Sequence, residues 1–260
     1  MIAPLMFALL QGLGGRVAAA PDGTVRLTFA ARPGVCGNGI NIIALECRDG
    51  MCGNRTIPSG AMFDRDDVAC DCQPGPVRVA LTVRGGAVQS LHTYVGGRWA
   101  TPPPAGLVVT DLGVVAAREA VDFLLDLAAR DDGRAGDEAI FPATIADSVT
   151  VWPALLRLAR DERVTRRARR QAVFWLGQAA GDAATRGLTD LVDDSHVDRD
   201  VQEQAVFALS QRPRDEGVPA LIRIARSHRD REVRRKALFW LGESGDPRAL
   251  ALFEELLTKP

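Results

Sequence analysis

Thiols are the most reactive groups in this chain, and all five fall in one stretch: Cys36, Cys47, Cys52, Cys70 and Cys72. Close thiols can pair as disulfides, hold a metal as thiolates, or exchange with other thiols. Structural zinc takes thiolates in tight pairs, most often C-x2-C. Here Cys47 and Cys52 stand as C-x4-C, and Cys70 and Cys72 as C-x-C. The C-x-x-C of redox centres is missing. A disulfide framework is therefore the preferred reading. A Cys36–Cys72 bridge would close the segment between two strand patterns, and a Cys47–Cys52 bridge would close the loop RDGM. Five is odd, which leaves Cys70 over.

No other constellation points to catalysis. His92, His196 and His228 stand in separate contexts, the last two in matching turns (DDSHVDRD and RSHRDRE) where a shared turn role explains them. His92 and Tyr94 share one strand face and read as packing. A G-x-S-x-G elbow, an H-E-x-x-H pair and a phosphate-binding glycine loop are all absent. No catalytic, cofactor-binding or metal-ligating residue is assigned, and no cofactor.

The thiols need a compartment that lets them oxidise. Residues Ile2–Leu10 (IAPLMFALL) form an apolar run too short to span a bilayer and of the length of a signal-peptide core. With Gly14 and Gly15 as the cleavage neighbourhood, residues 1–15 read as a signal peptide and the mature chain as periplasmic or secreted. The mature chain has no apolar run long enough for a transmembrane segment. Of the 32 basic residues only Lys236 and Lys259 are lysine. That bias, with abundant Ala, Gly and Asp, fits a GC-rich bacterial genome. The formal net charge of −1 argues against a generally basic nucleic-acid binder.

Two architectures divide the chain. In residues 16–100, Val25/Leu27/Phe29 and Val77/Val79/Leu81/Val83 alternate with polar residues, the period of half-buried strands. Pro21–Thr24 reads as a turn that folds Arg16–Ala20 back as a hairpin partner, and Gly85-Gly86 as the turn into Val88–Val95. Residues 37–75, rich in Gly, Asp and Asn, read as a loop braced by the bridges. This predicts a small β-meander or sandwich. Three prolines in residues 101–110 predict a stiff linker.

Beyond the linker a repeat begins. EAIFPA, QAVFWL, QAVFAL and KALFWL align without gaps, with Ala139, Ala172, Ala205 and Ala237 at spacings of 33, 33 and 32 and a phenylalanine two residues on each time. Each segment is read as opening a first helix; Asp182, Asp215 and Asp246 are read as N-caps of second helices. Leu155/Leu158/Ala159 and Leu221/Ile224/Ala225 supply apolar stripes. Two helices per 33 residues make an α-solenoid over 111–260, with a leading half-repeat at 115–130 and four repeats from about 136. Pro142 should kink or shorten the first helix it sits in. The overall class is α+β multidomain, a mostly-β N-terminal domain followed by an all-α array.

The last unit carries D-x-x-V-R-x-x-A-x-x-x-L-G as Asp230, Val233, Arg234, Ala237, Leu241 and Gly242. This resembles the short bacterial HEAT-like repeats of phycobilisome-lyase type, over about residues 115–258. The resemblance implies a protein-interaction scaffold more than an enzyme. Aligning the second helices yields a charge ladder: Asp126, Arg157, Asp190, Arg223 and Glu254 alternate in sign, as do Arg160, Asp193 and Arg226 three residues further on. Stacked repeats should set acid beside base along one face and fix register. Residues 111–260 carry a net charge of −3, which again disfavours nucleic acid. The function expected is non-catalytic: a bacterial envelope scaffold that binds another protein through the solenoid, with the ladder residues as its binding surface. The alternative is an enzyme or enzyme subunit, lyase-like or using metal or thiol chemistry at the Cys-rich segment.

Overall fold

The computed structural model describes residues 12–40, 42–48, 51–56, 62–63, 68–69, 72–99, 108–179 and 181–258; for 46–48, 51–56, 62–63 and 68–69 it describes the backbone. The apolar run Ile2–Leu10, most of the proline linker and Cys70 lie outside these residues. The chain divides into two compact units, Met1–Val151 and Trp152–Pro260.

In the first unit, the period-two residues form the strands they predict. β1 (Gly23–Phe29) pairs antiparallel with β8 (Val77–Arg84), which pairs antiparallel with β9 (Ala87–Val95). Gly85 and Gly86 turn between them at φ of 57° and 75°, the left-handed region a two-residue hairpin needs. Val25, Leu27, Phe29, Val77, Val79, Leu81 and Val83 are all fully buried.

Arg16–Ala20 does not pair as a strand. Leu13–Ala18 is a short helix, α1, burying Leu13 and Val17 four residues apart on one face. The pairing edge of β1 goes instead to β10 (Val108–Val114), which runs parallel to it, so the sheet takes up a strand from beyond the prolines. Two more helices complete the unit, α2 (Ala117–Arg130) and α3 (Arg134–Thr144). α2 packs on α1 and α3, and α3 lies against β9. Arg16 reaches Glu119 on α2 at 2.8 Å. Pro142 sits two residues before the end of α3, at 11 residues shorter than the first helices described below.

Residues 37–75 hold strands where a loop is expected. β3 (Ile43–Arg48) and β4 (Met51–Thr56) form a hairpin at the centre of a second sheet, ordered β5-β4-β3-β2-β7, with β5 Met62–Phe63, β2 Cys36–Gly37 and β7 Gln73–Pro74, and with β6 (Val68–Ala69) also pairing with β4. The strands are short and rich in Cys, Gly and Asn, and that composition hides the pairing. Cys36 and Cys72 form a disulfide, Cα atoms 5.6 Å apart, as the spacing predicts. The register sets Cys47 opposite Cys52 across the hairpin; their side chains lie outside the description.

The second unit is helical throughout: α4 (Trp152–Arg160), α5 (Arg166–Gly177), α6 (Asp182–Asp193), α7 (Arg199–Ser210), α8 (Arg214–Ser227), α9 (Arg231–Ser244) and α10 (Pro247–Thr258). The repeat segments fall in the second halves of α5, α7 and α9 rather than at their starts. Ala172, Ala205 and Ala237 are completely buried, because only a methyl group fits between stacked helices. Gly177 shows how tight the stack is: a Cβ there would stand 2.9 Å from that of Ala208.

Cys72→Ser opens a ring whose ends are 36 residues apart in sequence, and is expected to lower the unfolding free energy by about 2–4 kcal/mol. Urea unfolding followed by circular dichroism checks this.

Candidate interaction surface

The repeat frame rests on the starts of the first helices. Thr165 caps α5, its Oγ1 accepting from the Ala168 N–H at 3.1 Å. Asp230 caps α9, accepting from Glu232 and Val233, and these N–H groups hold its carboxyl below its ordinary range. At the matching position Asp198 makes no such bond. It accepts instead from the Arg169 guanidinium on α5, the first helix of the preceding repeat, at 2.5 Å.

Three residues before each buried alanine stands a long polar side chain. Arg169 runs forward to Asp198; Gln202 and Arg234 fold back onto carbonyl oxygens, Asp194 O at 2.6 Å and His228 O at 2.6 Å. The arginine of the V-R-x-x-A pattern thus satisfies carbonyls of the inter-helix turn or ties repeats together. The two histidines differ. His196 is exposed, whereas His228 is buried and its Nε2 lies 2.9 Å from the Val192 oxygen of the preceding repeat.

The second helices begin differently from expectation. Asp246 does cap α10: its Oδ1 accepts from the Arg248 N–H at 2.9 Å. Asp182 and Asp215 lie inside the first turns of α6 and α8, behind Gly181 and Pro213. There they face the positive end of the helix rather than capping single amides.

The strongest polar node is one sequence reasoning missed. Arg212 sits in the turn before α8, buried, and reaches into the preceding repeat. Its Nε donates to Thr185 Oγ1 at 2.8 Å; Nη1 donates to Gly177 O at 3.2 Å and to Ala179 O; Nη2 donates to Gly181 O and Glu216 Oε2, both at 2.9 Å. All five N–H groups of the guanidinium find acceptors. Thr185 donates its own proton to Glu216, and these bonds lower the carboxyl pKa of Glu216, the Thr185 bond first and the Arg212 bond second.

The ladder residues form inter-helix rungs in a diagonal register. Arg160 Nε stands 3.7 Å from Asp194 Oδ2, joining α4 to α6. Arg223 Nη2 reaches Asp193 Oδ2 at 2.8 Å, joining α8 to α6, and Arg226 Nη2 reaches Glu255 Oε2 at 2.5 Å, joining α8 to α10. Each side chain is about one-third to one-half exposed, so a rung contributes only about 0–1 kcal/mol. Residues at the same repeat position do not pair with each other, because successive helices are offset by one to three residues. Arg157, Asp190 and Glu254 carry no ion pair among the described residues. Asp126 lies on α2 in the first unit and pairs with Arg130 one turn on.

In the first unit, His92 and Tyr94 do share a face, ring centroids 6.5 Å apart. Arg78 is buried between Tyr94 and Trp99 (5.8 and 5.0 Å), and donates to Gly39 O and Gly96 O. Burial pushes its pKa down. This cluster fastens the end of the first sheet to the start of the second.

Residues 188–260 match the family model described as HEAT repeats. That match and the stacked helix pairs define the class of the second unit, a HEAT-like α-solenoid. No curated protein matches the chain.

Two outcomes follow. Arg212→Met removes the guanidinium from the Gly177, Ala179 and Gly181 carbonyls, of which Gly181 O keeps the Ala184 N–H at 3.1 Å, and is expected to cost about 2 kcal/mol in urea unfolding. The carboxyl of Asp246 is held at about 2, first by the Arg248 guanidinium and then by its backbone N–H. Its contribution to stability is complete above the ordinary carboxylate range and is lost only as pH falls through about 2. A carbon-detected NMR titration should place the Asp246 midpoint there, and Arg248→Met should raise it.

Proposed function

We propose that this chain is a non-catalytic scaffold of the bacterial envelope that holds another protein against its helical array. The observation that carries the reading is the division of labour among charges on the second helices. Arg160, Asp193, Arg223 and Arg226 are engaged in rungs between helices. Arg157, Asp190 and Glu254, at one repeat position on α4, α6 and α10, are left to face a partner. HEAT repeats are in general protein-interaction modules, and the likeness to the phycobilisome-lyase-type subgroup rests on the repeats alone.

The disulfide supports the location. Such bonds persist in oxidising compartments, and Cys36 and Cys72, bonded to each other, supply no thiolate for metal or exchange chemistry. The apolar run Ile2–Leu10 serves as the export signal in this reading. That Leu13 is packed inside the first unit supports a cut before it over one at Gly14 or Gly15.

Cross-linking and mass spectrometry in intact cells test the reading. The parent chain is expected to join one dominant envelope protein, and the triple variant Arg157→Glu, Asp190→Arg, Glu254→Arg to lose that cross-link while keeping its helical spectrum. A triple variant that cross-links as well as the parent overturns it.

A further inference from the structure

The outer face of the last repeat is built like an interior face. On α7, Arg199, Glu203 and Phe207 follow one another at four-residue spacing, and each touches the next repeat. Arg199 Nη2 lies 2.9 Å from Asp230, Glu203 lies 3.8 Å from Lys236, and the Phe207 ring centroid lies 5.0 Å from that of Trp240. The same positions on α9 are Arg231, Arg235 and Phe239, and Phe239 is 55% exposed.

Beside it, α10 turns Leu250 and Leu257 outward, 61% and 87% exposed, with the half-buried Phe253 between them on the same stripe at i, i+3 and i+7. Phe253 reaches to 4.0 Å of the Cβ position of Gly242 on α9, so the two stripes are continuous. An exposed apolar face of this kind, continuous with a stacking surface, marks a protein-interaction site.

The charges on α9 say what covers it. Arg235 stands four residues before Phe239 and Glu243 four residues after, all three exposed on one face. Arg235 also pairs with Glu232 on its own helix. A stripe basic at one end, apolar in the middle and acidic at the other matches its own antiparallel image. We propose that the chain pairs with a second copy of itself through this face, about a two-fold axis. The two α9 helices lie antiparallel, the Phe239 rings meet at the centre, and Arg235 of each copy faces Glu243 of the other. The docking role proposed above stands or falls separately.

Sedimentation velocity on the full chain across a micromolar concentration series tests this. A monomer–dimer equilibrium is expected, and Phe239→Asp should abolish it. Arg235→Glu alone and Glu243→Arg alone should each weaken pairing by about tenfold or more. The two together should restore it, because the exchanged charges again face opposites. The three side chains are exposed, so the helical spectrum of each variant should match that of the parent. A chain that stays monomeric throughout overturns the proposal. So does a dimer that survives Phe239→Asp, or a double exchange as weak as the single ones.

Discussion

A guanidinium removed from water must have every N–H answered, and that requirement organises the middle of the array. Arg212 meets it with acceptors from one turn, Gly177, Ala179 and Gly181, and from two side chains, Thr185 and Glu216. Helix packing by alanine and leucine has no direction of its own; a stack of such faces could slide. Five hydrogen bonds of fixed geometry cannot be remade one residue out of place. The register of the repeat containing α5 and α6 against the one containing α7 and α8 is therefore set by a polar contact, and the apolar faces fill in around it.

The other inter-repeat contacts obey the same logic at lower strength. Arg169 draws Asp198 away from its own helix start, exchanging a local cap for a bond between repeats. His228 does likewise through the Val192 oxygen. The ion pairs along the second helices are weak singly, yet they join α4 to α6, α6 to α8 and α8 to α10 in unbroken series. The first unit reaches the same end differently, with the Cys36–Cys72 bridge and an arginine held between two aromatic rings.

Much of this was legible in residues whose spacing is imposed by packing. The alanine period revealed the array because a buried helix crossing tolerates nothing larger, and the alternation of Val, Leu and Phe revealed the first sheet because one face must be covered. Cys36 and Cys72 could be paired from their places between strands. What escaped notice depends on backbone. The acceptors of Arg212 are mostly carbonyl oxygens, which every residue has, so nothing in SQRPRDE marks it. The strands of the second sheet are too short and too rich in glycine to show alternation. Alternating signs on the second helices were visible, but which acid meets which base depends on the stagger between helices, and that is a property of the stack. The residue type of Asp182 and Asp215 suits a helix start, and the type alone does not say which side of the boundary it occupies.

Burial falls from the middle of the array towards its carboxyl end: α4 buries three residues, α5 seven, α9 three and α10 two. In a structure whose units touch only their neighbours, such a slope makes unfolding directional. The chain should unravel from its carboxyl end inward, one helix pair at a time, and the first pair to open is the one that carries the exposed phenylalanine. A cover on that end would do more than hide apolar surface: it would raise the threshold at which the whole array begins to fray.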